Sequence, residues 1–179
     1  MLLNYSGIIS ILLVWPLVVF LSLLKGLKYR SKTISQITGI KRNLYIINSG
    51  LILGSIFQVL FLYFLSKKFP VENMSIFIFI YLTTILAAIL TAIFPYYKYL
   101  GIHTFVVKYF FIVNPLSLII FGYLIRNTNI YLSLISIIIP LIYYLGIFGI
   151  LKAYKGINAI IQIWEFSLLS LWIILISLI

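Results

Sequence analysis

The chain has 179 residues, of which 64% are hydrophobic and 8% charged, against roughly 45–50% and about 25% in a soluble domain; water could not tolerate so much apolar surface, and a bilayer can. There are no cysteines, two acids and one histidine, which excludes disulfides and thiol chemistry and leaves too few ligands for a protein-built metal site. The formal charge of +11 does not imply nucleic acid as a partner, because the basic residues fall in the gaps between apolar runs, where a membrane protein meets anionic lipid.

Six apolar runs are each long enough to cross ~30 Å of hydrocarbon at about 1.5 Å per residue. They cover Gly7–Leu24, Leu44–Leu65, Ser75–Phe94, His103–Ile125, Ile130–Leu151 and Ile157–Leu178. This predicts an all-α, polytopic transmembrane bundle of six helices in a single domain. The first run lacks the basic start and small-residue cleavage site of a secretory signal, so it reads as a retained helix, bent at Trp15-Pro16 by the missing backbone donor.

The first loop, Lys25–Asn43, carries Lys25, Lys28, Arg30, Lys32, Lys41 and Arg42; the third gap adds Lys98, and the fifth adds Lys152 and Lys155. The opposite side has only Lys67, Lys68 and Arg126. The positive-inside rule then predicts that loops 25–43, 95–102 and 152–156 are cytoplasmic and both termini outside. Asn4-Tyr5-Ser6 and Asn73-Met74-Ser75 match the glycosylation pattern and are read as chance matches of a short motif. The other gaps are short, which makes consecutive helices antiparallel neighbours.

Polar side chains in hydrocarbon turn toward protein, so their helical phase marks the inward faces. In the second run Asn48 and Ser55 are in phase, with Gln58 at the edge of the stripe, and Gly50 and Gly54 form a small-xxx-small pair. The third offers a small-residue surface of Thr84, Ala88 and Ala92 beside Thr83, Ala87 and Thr91. In the fourth, His103 and Asn114 share a face while Lys108 points elsewhere and can reach the interface. Ser133, Ser136, Pro140 and Tyr143 align in the fifth, and Asn158, Gln162, Glu165 and Trp172 in the sixth.

Glu165 stands apart, since an unpaired charged acid at that depth costs about 2.5 kcal/mol or more. It is expected to be protonated, or paired with Lys155, Lys108 or His103. Because His103 and Glu165 both lie toward the odd-loop ends of their helices, we expect a polar pocket built from His103, Glu165, Gln162 and Asn48. The ordinary reading of such residues is interhelical glue, with His103 solvated or capping a helix start.

Several motifs together resemble a known family. Ile34-Ser35 with Gly39 and the run Ile47-Asn48-Ser49-Gly50-Leu51-Ile52-Leu53-Gly54 are similar to its ISxxG and FNxGLxLxG segments. Phe94-Pro95 with Ile102-His103 resembles its FP...H element, and Trp172 its last-helix tryptophan. The family is the prokaryotic domain of unknown function nine-nine-eight, small multi-pass membrane proteins distantly similar to the Frag1/DRAM/Sfk1 group, some of whose members are tied to lipid remodelling. Relatives often carry Glu-Arg before the final helix where this chain has Gln162-Ile163, and an acid after FP where it has Tyr96.

No catalytic motif is present and no cofactor is implied. The resemblance and the polar face together imply a protein that binds or senses a lipid or other amphiphile within the bundle. Lys108, Lys25, Lys28 and Arg30 are the candidates for contact with anionic head groups or partners. Two further readings are a solute-binding membrane subunit of a transporter and a structural subunit of a membrane complex. The expected partners are membrane lipids and, on those two readings, other membrane subunits.

Overall fold

The computed structural model describes residues 2–24, 41–154 and 159–178. Six helices run through them: α1 (Leu2–Leu24), α2 (Lys41–Lys68), α3 (Met74–Ile93), α4 (Leu100–Ile125), α5 (Ile130–Tyr154) and α6 (Ala159–Leu178), with no strand among the described residues. Five of them, α2 to α6, are long and apolar enough to cross a membrane. The architecture is that of a multi-pass membrane bundle. Lys25, Lys28, Arg30, the Ile34-Ser35 and Gly39 motif, Lys155 and Asn158 lie outside the described residues.

Several helices run past the hydrocarbon-length segments the sequence predicts. The second extends to Lys67 and Lys68, and the fourth begins at Leu100 rather than His103. Helical hydrogen bonding carries on into the interface, where long basic side chains can bend back toward water. Where helices stop, the reason is local. Pro95 disfavours helical geometry in the residue before it, and Phe94 accordingly leaves the helix at φ −105°, ψ 81°. Between α2 and α3 the chain turns through Asn73 at φ 61°, a left-handed conformation that asparagine tolerates better than most residues. Asn129 starts α5, its Oδ1 accepting the Leu132 N–H at 3.0 Å.

Each helix packs on the next in sequence, and α6 packs back on α1, so the bundle closes. Close approaches fall where a side chain would obstruct them. A Cβ at Gly54 would meet Val14 of α1, and one at Gly122 would lie 2.8 Å from the Ser133 carbonyl oxygen of α5. Large apolar side chains such as Phe79, Phe105, Leu145 and Phe148 are exposed on the outside, as lipid allows.

The centre is filled unevenly along its length. Toward the end with the termini, the Trp172 ring of α6 packs against Phe61 of α2, Tyr81 of α3 and Phe121 of α4. Its indole N–H donates to Ser136 Oγ of α5 at 2.8 Å. Phe69, Phe77, Ile125, Leu132 and Ile176 continue this plug. Midway along the bundle the packing gives way to polar groups.

Candidate functional site

Below the plug lies a pocket of ≈ 70 Å³, bounded by α1, α2, α3, α4 and α6. On the plug side it is lined by a hydrogen-bonded chain crossing three helices. Tyr81 O–H donates to Gln58 Oε1 at 2.7 Å, and Gln58 Nε2 donates to Ser10 Oγ at 2.9 Å. One amide thus uses both of its ends, which fixes its orientation. Across the pocket, the Trp15 indole N–H donates to Ser170 Oγ at 2.7 Å. Ser55 and Thr84 also line the space but turn their hydroxyls back to their own helices, bonding Leu51 O and Tyr81 O. Asn114 completes the polar lining, and Val14, Ile85, Phe110 and Phe166 supply apolar walls.

Asn114 and Leu169 also border a second, smaller cavity of ≈ 10 Å³, about the room of one water. Glu165 lies here, 1% exposed. Neither carboxyl oxygen has a partner in hydrogen-bonding geometry, although the Asn114 amide comes up beside them. Two prolines, Pro115 of α4 and Pro140 of α5, form part of the wall. Each removes one helical donor. At Pro115 the orphaned acceptor is the Phe111 carbonyl, which Tyr143 O–H reaches at 3.0 Å. The adjacent Ile112 carbonyl accepts from Tyr144 O–H at 2.9 Å.

The four residues expected to share one pocket fall into two groups. Asn48 Nδ2 donates to Ala92 O at 2.7 Å, and His103 Nδ1 lies 2.8 Å from Phe94 O, so both serve the last turn of α3. A carbonyl can only accept, so Nδ1 carries the proton in that bond. His103 is buried rather than solvated, edge-on to Tyr96. Gln162 and Glu165 are buried one turn apart on α6. His103 and Asn114 are eleven residues apart, ~16 Å along α4, and it is Asn114, with Pro115 and Leu118, that lines the Glu165 cavity. The structure therefore places His103 and Glu165 in different layers and pairs Glu165 with neither His103 nor Lys108, which is exposed.

Nothing in the sequence marks Ser10, Tyr81 and Ser170 as pocket residues, and Trp15 stands out there only beside the proline of an expected bend. Serine and tyrosine are common in such helices, and only the assembled bundle shows which of them converge. Pro115 offered a legible signal, a proline directly after the in-phase Asn114. Among the described residues no cluster of His, Asp or Glu could hold a metal ion.

Compared with protein-family models, curated proteins and solved structures, the chain matches none. The resemblance to the domain of unknown function nine-nine-eight family therefore rests on the motifs quoted for it.

Proposed function

We propose that this protein binds a lipid or other amphiphile inside the membrane, in the pocket between α1, α2, α3, α4 and α6. The observation that carries the reading is the pocket itself. It is a half-open space of ≈ 70 Å³ between the helices. A large side chain at Ala88, which lines it, would take up much of that space. Instead the lining keeps the Gln58 and Asn114 amides beside apolar walls that suit an alkyl chain. Binding or sensing needs no reacting groups, and the lining has no nucleophile held against a base. Anionic head groups at the membrane surface would meet Lys108 and the basic first loop with Lys25, Lys28 and Arg30. On that reading the odd loops face the cytoplasm.

Native mass spectrometry of gently solubilised protein tests this. The wild type should retain a bound amphiphile, and Ala88→Phe should lose it while keeping its helicity and monodisperse elution. Equal retention by both, or none by either, would overturn the proposal.

A further inference from the structure

Glu165 presents a buried carboxyl with no basic counterpart among the described residues. The other acid of the chain, Glu72, is exposed between α2 and α3. Among the described residues, none of the cations approaches the Glu165 oxygens: Lys108 is exposed, and Lys68 donates to Ile176 O at the far end of α6. An ionised carboxylate there is costly unless a cation joins it, since an apolar surround cannot solvate it. The space against it is ≈ 10 Å³, enough for one water-sized group. Only Asn114 and Leu169 border both this cavity and the larger pocket.

We propose that Glu165, with Asn114 beside it, forms a subsite for the ammonium group of a primary amine whose nearest carbons reach into the larger, half-open pocket. This rests on the amphiphile-binding reading and adds the charge of the guest. Other ions fit less well. One carboxyl cannot neutralise a divalent cation, which takes six or more oxygen ligands. An anion would be repelled by the carboxylate and finds no basic side chain in the lining. An alkali ion wants a shell of oxygens, whereas Pro115, Leu118, Ile139, Pro140 and Leu168 form the remaining wall. Those apolar groups suit the carbons next to an ammonium nitrogen. On binding, the carboxyl releases its proton to solvent and the ammonium takes its place, so the net charge of the site stays at zero.

The source of the ammonium is either an aminophospholipid head group or a free amphiphilic amine. Thermal unfolding of detergent-solubilised wild type, Glu165→Gln and Glu165→Asp, with n-octylamine or n-octanol as the probe, tests the inference. The wild type should bind octylamine at least tenfold more tightly than octanol. Glu165→Gln should lose that preference and still bind octanol, and Glu165→Asp should keep part of it. Equal binding of amine and alcohol by the wild type sinks the ammonium subsite and leaves the pocket reading intact. Binding of neither probe sinks both, and an amine preference unchanged in Glu165→Gln removes the assignment to that residue. The wild-type comparison stands by itself should a variant fail to fold. Nanodiscs with and without phosphatidylethanolamine separate the sources: retained aminophospholipid, lost in Glu165→Gln, supports the lipid, and octylamine binding without retained lipid supports a free amine.

Discussion

Tyr143 on α5 donates its hydroxyl proton to the Phe111 carbonyl on α4, 3.0 Å away, and that carbonyl is the one Pro115 leaves without a helical donor. In hydrocarbon no water can replace the lost bond. The proline and the tyrosine therefore form a unit, with the defect on one helix and its repair on the next. The repair also holds two of the cavity-lining residues, Tyr143 and Pro115, in place against Glu165.

From this pairing we expect Tyr143→Phe to destabilise the protein by about 1–2 kcal/mol, the cost of leaving a buried acceptor unpaired. Tyr144→Phe should cost less, because Tyr144 is only half-buried. In a Pro115→Ala background the helix regains its own donor, so Tyr143→Phe should become nearly neutral. Thermal unfolding of the four proteins in one detergent measures the coupling; additive losses would show that the two residues act separately.

Much of the architecture could be read from hydropathy alone, because a lipid-facing helix must be apolar over its whole spanning length. The third helix is the clearest case: Ser75–Phe94 in sequence became Met74–Ile93. The inward stripe of Ser133, Ser136, Pro140 and Tyr143 is buried throughout. Helical phase shows which residues face inward but carries no information on which helix they meet. Asn48 and His103 did turn inward, and both were taken up by the carbonyls of Ala92 and Phe94, freed where Pro95 ends α3. The polar chain from Ser10 through Gln58 to Tyr81 spans three helices, and no single-helix pattern could have revealed it.

That chain should behave as one unit. Gln58→Leu removes the acceptor of Tyr81 O–H and the donor to Ser10 together. It should cost about 1–3 kcal/mol, since it strands a buried hydroxyl. Adding Tyr81→Phe to Gln58→Leu should cost little more, because the stranded group is then gone. A double-mutant cycle read by chemical or thermal unfolding checks this, and full additivity would argue against a connected chain.

Two of the close helix approaches, at Gly54 and Gly122, should differ in their tolerance of a methyl group. At Gly54 the obstruction is a terminal methyl of Val14, whereas at Gly122 it is the Ser133 main-chain oxygen. A valine can change rotamer; a helix backbone must move as a whole. Gly122→Ala should therefore destabilise by about 1–3 kcal/mol, in the range of overpacking, and Gly54→Ala by less. Parallel melts of the two variants decide the order, and a larger loss at Gly54 would contradict it.

Trp172 packs on Tyr81, which lines the pocket, and its two contributions can be separated by substitution. Trp172→Phe keeps most of the ring packing against Phe61, Tyr81 and Phe121 but gives up the bond to Ser136 Oγ. A loss near 1 kcal/mol is expected, about the net value of a hydrogen bond. Trp172→Ala also empties the plug, and large aromatic truncations in a core cost about 3–5 kcal/mol. The empty plug would then join the ≈ 70 Å³ pocket, so Trp172→Ala should accept longer-chain amphiphiles than the wild type if it remains folded. Thermal unfolding gives the first pair of values, and chain-length profiles of retained amphiphile by native mass spectrometry give the second. An unchanged profile in a folded Trp172→Ala protein would show that the tryptophan does not form the end wall of the binding space.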